Sequence, residues 1–442
     1  MTDTTERPAS TNTDVVDEVR AWLEENWDPD LTVAEWWERL GLAGWAAPSL
    51  PTNAYGKALS RTDSVAVQTA IAEFGALGAP GGLGLLLAAH TIAKHGTREQ
   101  IDTYVRDIVT GQRARCQLFS EPGAGSDLAG LQATAARDGE EYVVNGQKVW
   151  TSGGHVADLG MLIARTNSEA PKHQGITYFA MDMHQPGVDV RPLRELTGRA
   201  LFNEVFMSDA SVPAHAMIGG LNNGWAVANT TLAFERAGLG AGGGNSAGSA
   251  ATPGTVAGQL DTRAGDYVRP AGKPSTGGGG GNFRDTSKMM IQLAQGAGLN
   301  TDETIRQDLV RLYTFSQLGR MNNLRVKAAK AKGEDIAGMG NIAKLSMSDM
   351  VRLQRDLGLR IAGASGMLHS YEGGEERKTL DEATGNPFLG FITEMALFAQ
   401  APPIYGGTDQ VQKNIIGERV LGLPKEPNQD KVVPFSELPK NA

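Results

Sequence analysis

The sequence predicts an α+β fold in three parts: a helical N-terminal domain, a middle antiparallel β domain and a C-terminal helical bundle. Three changes of texture carry that prediction. Apolar residues recur at spacings of three and four from about residue 14 to residue 111. Over residues 116–210 they alternate with polar ones at a period of two, punctuated by turn residues. Helical spacing returns at Asn222 or Asn223 and persists to about residue 421. A chain of 442 residues is long enough for two or three domains with sizeable cores. The expected boundaries are 1–115, 116–220 and 221–442.

Taken in order, the polar start MTDTTERPASTNT (1–13) has no apolar core and is expected to be disordered; it resembles neither a signal nor a transit peptide. Residues 14–27 place Val15, Val19, Trp22 and Leu23 at helical spacing behind Asp14, a candidate N-cap. Trp36, Trp37 and Leu40 mark a second helix over 32–41, and helical patterns follow at 62–78, 82–95 and 97–111. The tryptophans here are read as core residues. The β domain is read from YVVNGQKVW, MLIARTN, ITYFAMDM and VDVRPL, with Asn145-Gly146 as a two-residue hairpin turn. Bundle helices are expected from residue 222 or 223 and at 302–332, 341–362, 387–400 and 407–421. Between the first two lies a stretch rich in Gly, Ser, Thr and Pro, residues 243–282, expected to be a flexible excursion that buries no core.

Composition narrows the function. The formal charge is −9, with no basic block, which argues against nucleic acid and anionic membrane surfaces as partners. The longest apolar runs are too short to span a bilayer. The single cysteine, Cys116, rules out an internal disulfide and suits a reducing, cytoplasmic setting. It reads as a small buried hydrophobe. His90 and His95 stand five apart and share no helix face, so no metal site is expected.

The chemistry-bearing stretch is 116–152. CQLFSEPGAGSDLAG forms a glycine loop in which Gly123 and Gly125 let a ligand approach the backbone, while Ser126 and Asp127 can bond its free N–H groups. NGQKVWTSGG then sets Trp150 beside the hydroxyls of Thr151 and Ser152. GAGSDL is no dinucleotide fingerprint, because Leu128 stands where the third glycine belongs. The GxGxxG at Gly238, Gly240 and Gly243 follows a helix and is read as chance. Trp150 alone reads as a core aromatic and Ser152 as a turn hydroxyl. On the run from Trp225 through Ala228, Leu232 and Glu235 to Leu239, a carboxylate lies on an apolar stripe, with either a task or an ion-pair partner.

EPGAGSD followed by NGQKVWTS resembles the acyl-CoA dehydrogenase family of flavoproteins. PIYGGTDQVQKNIIGERVLGLP (403–424) is similar to that family's closing motif. The resemblance covers about residues 14–442 and is weakest over 240–300. It implies an FAD-dependent oxidation of an acyl-CoA to a trans-2-enoyl-CoA, in which a carboxylate removes the α-proton and the β-hydride passes to the flavin. Many members carry that carboxylate in a Tyr-Glu-Gly-Thr motif, which here reads Tyr405-Gly406-Gly407-Thr408. One branch instead places the base on the first helix of the C-terminal domain, next to an arginine; this implies Glu235 as base beside Arg236, with the Gly406 backbone N–H near the thioester oxygen. The correspondence further implies Phe119, Ser120, Trp150, Thr151 and Ser152 around the flavin ring and Ser126 on the CoA side. Tyr405 would lie at the substrate and Gly407, Thr408 and Gln410 at the FAD diphosphate. Two departures stand out. The arginine turn that grips a neighbour's FAD has no counterpart, leaving Arg263, Arg269 and Arg284 as candidates, and a pattern written with Gln reads Arg360 here, which implies either a direct pair with an FAD phosphate or a structural role. The family implies a homotetramer that passes electrons to an electron-transfer flavoprotein. A subunit needing a different partner chain and an acyl-CoA oxidase are the alternatives.

Overall fold

The computed structural model describes residues 12–240, 251–256, 259–268, 287–334, 336–372, 374–427 and 429–439. Most of the predicted disordered start, and Arg269 and Arg284, lie outside these residues. The N-terminal domain comprises α1 (Asn12–Asn26), α2 (Val33–Leu42), α3 (Arg61–Phe74) and α4 (Ala89–His95), the last preceded by an i→i+5 turn at Gly84–Ala88. A second broken helix follows as α5 (Arg98–Gln100) and α6 (Arg106–Val109). A capping box at Thr32 and Glu35 starts α2. Trp36 and Trp37 are fully buried on α2, and their indole N–H groups donate to Leu77 O at 2.7 Å and Gly78 O at 2.9 Å. They are core residues, as their spacing predicts.

The middle domain is one sheet in the order β6-β7-β3-β2-β4-β5-β8, with β1 added on β4. Its strands are β1 (Arg115–Leu118), β2 (Thr134–Asp138), β3 (Glu141–Lys148), β4 (Leu159–Arg165), β5 (Ile176–Asp182), β6 (Val188–Leu193), β7 (Phe202–Pro213) and β8 (Met217–Ile218). Pairing is largely antiparallel, but β1 runs parallel to β4. One local expectation is corrected: Asn145-Gly146 is not a hairpin turn. The chain reverses around Gly139, between β2 and β3, and Asn145 lies inside β3. There its side chain bonds Asp209 twice, at 2.9 Å each, opposite a bulge in β7. Gly146 is needed because a Cβ would meet the Cβ of Ala133 at 2.6 Å.

The bundle comprises α7 (Gly224–Gly240), α8 (Ser287–Gly296), α9 (Glu303–Ala331), α10 (Met339–Ala362), α11 (Gly374–Thr384), α12 (Leu389–Phe398) and α13 (Asp409–Ile415). The sequence pattern missed α8 and α11. A separate core of Met290, Leu312, Leu357, Ile361, Ile392 and Met395 holds the bundle together. Helix α7 buries Val227 and Ala228 in the core shared by the first two domains. It also packs on α10.

The glycine-rich excursion is corrected where it is described. Residues 259–268 lie along the N-terminal domain, with Val33 N donating to Thr262 O at 2.8 Å and Ala264 N to Leu31 O at 2.8 Å. Gly254 N donates to Gly111 O at 2.9 Å. Thr255 bonds the buried carboxylate of Asp158, which also accepts from Ala114 N at 2.7 Å. Ala251 and Ala264 are buried. Backbone hydrogen bonds fix these segments, so a composition poor in large apolar residues does not leave them free.

Candidate active site

The loop after β1 is built on a buried carboxylate. Glu121 accepts from Lys148 Nζ at 2.8 Å and from the backbone N–H groups of Gln132 at 2.6 Å and Ala133 at 3.0 Å. Lys148 is fully buried and also donates to Phe119 O at 2.9 Å. Burial lowers the proton affinity of its ammonium, and the Glu121 charge opposes that effect. Phe119 is buried edge-on to Tyr178. Val149 N donates to Ser120 O at 2.9 Å, tying the loop to the chain leaving β3. Gly125 faces open space and Ser126 is exposed. Asp127 holds Lys172 at 2.9 and 3.0 Å rather than the loop's own amides.

Beside this loop, Trp150 is 57% exposed with φ 62°, a left-handed conformation that is strained for a bulky residue. Its ring stands edge-on to Phe202 at 5.8 Å, so it is a wall residue and not the core aromatic that its type alone suggests. Thr151 exchanges backbone hydrogen bonds with Asn203 at 3.0 Å each. Its hydroxyl is buried and has no partner among the described residues. Ser152 is exposed. An exposed aromatic face, an orphaned buried hydroxyl and a rigid backbone edge at Phe119–Ser120 fit a planar, heteroatom-rich ring such as a flavin.

Glu235 lies half-buried on α7. Gln117 Nε2, from β1, donates to Glu235 Oε2 at 3.3 Å. Since β1 runs directly into Phe119 and Ser120, this contact brings the candidate base to the strand that leads into the candidate flavin loop. The side chain of Arg236 lies outside the described residues. Phe234, the residue before Glu235 on α7, stacks on His90 at 4.3 Å, and burial pushes His90 down to about 4. Burial also pushes the Cys116 thiol up to about 12, which suits an inert core residue.

The second half of the site is formed by the bundle. Tyr405 is 39% exposed, and Gly406 and Gly407 take φ 64° and 83°, values that favour glycine. Gln412 Nε2 donates to Gly406 O at 2.9 Å and Gly407 O at 3.3 Å. The Thr408 hydroxyl caps α13 by accepting from Val411 N, and Gln410 is exposed. Buried Asp409 accepts from Lys344 at 2.9 Å, Ser348 at 2.7 Å and Arg352 at 2.6 Å. Arg360 pairs with Asp308 at 2.9 Å. Arg263 pairs with Asp30 and Asp266 at 2.6 and 3.0 Å, so it fastens the excursion to the N-terminal domain. Among the described residues no cluster of His, Cys, Asp and Glu could hold a metal, and no helix is long and apolar enough to cross a membrane.

A helix–sheet–helix chain with an aromatic wall, a glycine loop on a buried carboxylate and a carboxylate at the loop's edge defines the flavoprotein oxidoreductase class. Models of the N-terminal, middle and C-terminal domains of acyl-CoA dehydrogenase match residues 5–112, 116–210 and 285–421. Acyl-CoA dehydrogenase IpdE1 of Mycobacterium tuberculosis is 31% identical over 391 residues, covering 88% of each chain. Acyl-CoA dehydrogenase FadE34 of the same organism is 34% identical over 339 residues, which are 76% of this chain but 39% of FadE34. A solved structure titled Tcur3481-Tcur3483 steroid ACAD superposes with a TM-score of 0.66 at 25% identity, covering 96% of this chain and all of that one. The chain belongs to the acyl-CoA dehydrogenase family, a family of flavin-dependent oxidoreductases. Gln117 and Lys148 were not singled out from the sequence. The alternation that puts Tyr142 and Val144 inward also puts Lys148 inward, and a buried lysine demands a carboxylate.

Proposed function

We propose that the chain oxidises an acyl-CoA thioester to the trans-2-enoyl-CoA with Glu235 as base and FAD as cofactor. The observation that carries this is the Gln117–Glu235 contact, which sets a carboxylate beside the strand leading into Phe119–Ser120. FAD, when bound, accepts the β-hydride. Glu235 takes the α-proton, and the electron pair it leaves forms the Cα–Cβ double bond. The Gly406 N–H stabilises the charge that develops on the thioester oxygen. Trp150, Thr151, Ser152 and the Phe119–Ser120 backbone hold the ring; Gly407, Thr408 and Gln410 hold the diphosphate. Ser126 and Tyr405 lie along the substrate. A glycine at position 406 leaves room for a bulky acyl group, and a relative titled a steroid ACAD supports that choice.

Glu235→Gln keeps shape and hydrogen bonding but cannot accept the proton. Turnover of an acyl-CoA panel, including steroid side-chain thioesters, with a dye acceptor is expected to fall on the order of 10²–10⁴-fold while FAD is retained. Near wild-type turnover overturns the assignment. A second reading, that the FAD site is completed by a different chain, rests on Arg263 being committed within its own chain and on a relative whose title joins two names. Protein expressed alone that binds FAD only after a second chain is added would favour that reading over a homotetramer. Oxygen consumption in the same assay separates a dehydrogenase, passing electrons to an electron-transfer flavoprotein, from an oxidase.

A further inference from the structure

One side chain reaches the proposed base from another domain. Gln117 and Glu235 are 118 residues apart, and the 3.3 Å contact between them spans from β1 to α7. On β1, Cys116 and Leu118 are fully buried on one face of the strand, so Gln117 projects from the other. The strand is paired with β4 along its whole length, from Arg115–Leu159 to Leu118–Leu162. Its next residues are Phe119 and Ser120. A donor fixed on this strand therefore sets the carboxylate against the flavin-facing backbone through a single rigid element.

We propose that Gln117 is a positioning residue for Glu235: it aims the carboxylate and favours its ionised form, so that the base is ready near neutral pH. The inference rests on the base assignment above. A half-buried carboxylate loses hydration, which disfavours its charge, and an N–H donor offsets that loss. A neutral amide does so without a full positive charge, so the carboxylate keeps enough basicity to take a proton. Lysine or arginine at this position would hold the anion too well.

Several titratable groups lie on the elements packed against the helix that carries Glu235. Helix α7 packs on β5, on the turn before α4, on α4 itself and on α10. His90, against Phe234, is held neutral down to about 4 by burial. His95, bonded to Thr230, is also lowered by burial, with Lys94 adding to the shift. Tyr178 on β5 is pushed up by burial; at the head of β1, burial lowers Arg115 to about 10. On α10, Lys344 and Arg352 hold Asp409, and Asp349 faces Arg352. Arg355 pairs with Asp356, and Arg360 with Asp308. Arg236 is the next residue along α7.

The test compares Gln117→Leu and the isosteric Gln117→Glu with wild type, using the acyl-CoA of the panel that wild type turns over fastest. For Gln117→Leu, the acidic limb of kcat/KM is expected to move up by about one pH unit. That is a loss approaching tenfold on the acidic side of the limb which vanishes on its alkaline side. Gln117→Glu should move it further, because a second carboxylate opposes ionisation. FAD absorbance should not change. In parallel, the Glu235 carboxylate is titrated without substrate, as the infrared difference between each protein and its Glu235→Gln counterpart, and its midpoint should move up in both variants. A loss equal at every pH, or an infrared midpoint unmoved in both variants, overturns the proposal. If Glu235→Gln keeps its turnover, the base assignment has failed instead, and the substrate-free titration still decides what Gln117 does to the carboxylate.

Discussion

Both halves of the site hang on one buried carboxylate, but the two are set differently. Glu121 bonds a fully buried lysine and two backbone amides within one domain. Asp409 bonds three side chains of a neighbouring helix, and Arg352 among them keeps 38% of its side chain in solvent. The first is a dry, locally complete network that fixes a loop on a sheet. The second is a partly wet clasp between α10 and α13, only as firm as their packing. A flavin ring at the proposed site demands a fixed wall, which the sheet would provide. A substrate that must enter and leave is better served by a turn held through a clasp.

The largest effect should come from breaking the dry network. Glu121→Ala leaves Lys148 buried and unpaired, and such losses cost about 3–5 kcal/mol. Denaturant unfolding should report that loss, along with release of FAD. The pair Glu121→Gln with Lys148→Met should lose clearly less, because no charge is stranded. If the single variant costs no more than the pair, the network does not hold the loop.

Next in size is the strap formed by the described segments 251–256 and 259–268. Replacing 243–282 by a short linker removes several backbone hydrogen bonds, each worth ~1 kcal/mol net, and relieves some ordering cost. The expected loss is on the order of 2 kcal/mol, read as a lower thermal midpoint. An unchanged midpoint would restore the view of this stretch as a dispensable excursion.

Acid loosens the Asp409 hub more gently. Burial alone would raise the Asp409 carboxyl, but its donors Lys344, Ser348 and Arg352 outweigh that and hold it below its ordinary 3.8. A depressed carboxylate contributes stability above its unfolded value and loses it as pH falls through the folded one. Amide protection in α13 should therefore fall from about pH 4 downward, and Asp409→Asn should remove that pH dependence. Protection in α13 that does not change on acidification would mean that the Asp409 ion pairs do not hold the clasp.

The three-part fold was legible because each domain keeps one period over many residues. Helix α11 escaped because none of its residues is buried, so it has no apolar stripe to read. Helix α8 escaped because its buried Met290, Leu293 and Ala294 follow a long glycine run. The strap was misread because its order comes from backbone bonds, to which composition is blind. Within the site, contiguous motifs pointed to Trp150, Thr151 and the Gly406 turn. The Gln117–Glu235 contact joins residues 118 apart on different domains, and no local pattern encodes such a pair.

The last test asks whether the two halves meet at one substrate carbon. Helix α7, which carries Glu235, packs on α10, and so does α13, which follows the Gly406 turn. In a Glu235→Gly background, Gly406→Glu would supply a carboxylate from the bundle side. Gly406 has φ 64°, so a side chain there costs about 1–2 kcal/mol, and glycine within α7 costs about 1 kcal/mol more. Together they stay below the loss expected at Glu121. Gly406→Ala in the same background carries the strain without the carboxylate and is the control. The glutamate variant should exceed that control at least tenfold in kcat/KM while staying below wild type, because its carboxylate is held by a strained turn and lacks the Gln117 donor. Equal rates for the glutamate and alanine variants would mean that the two positions do not flank one α-carbon, and that the wet half of the site serves the cofactor alone.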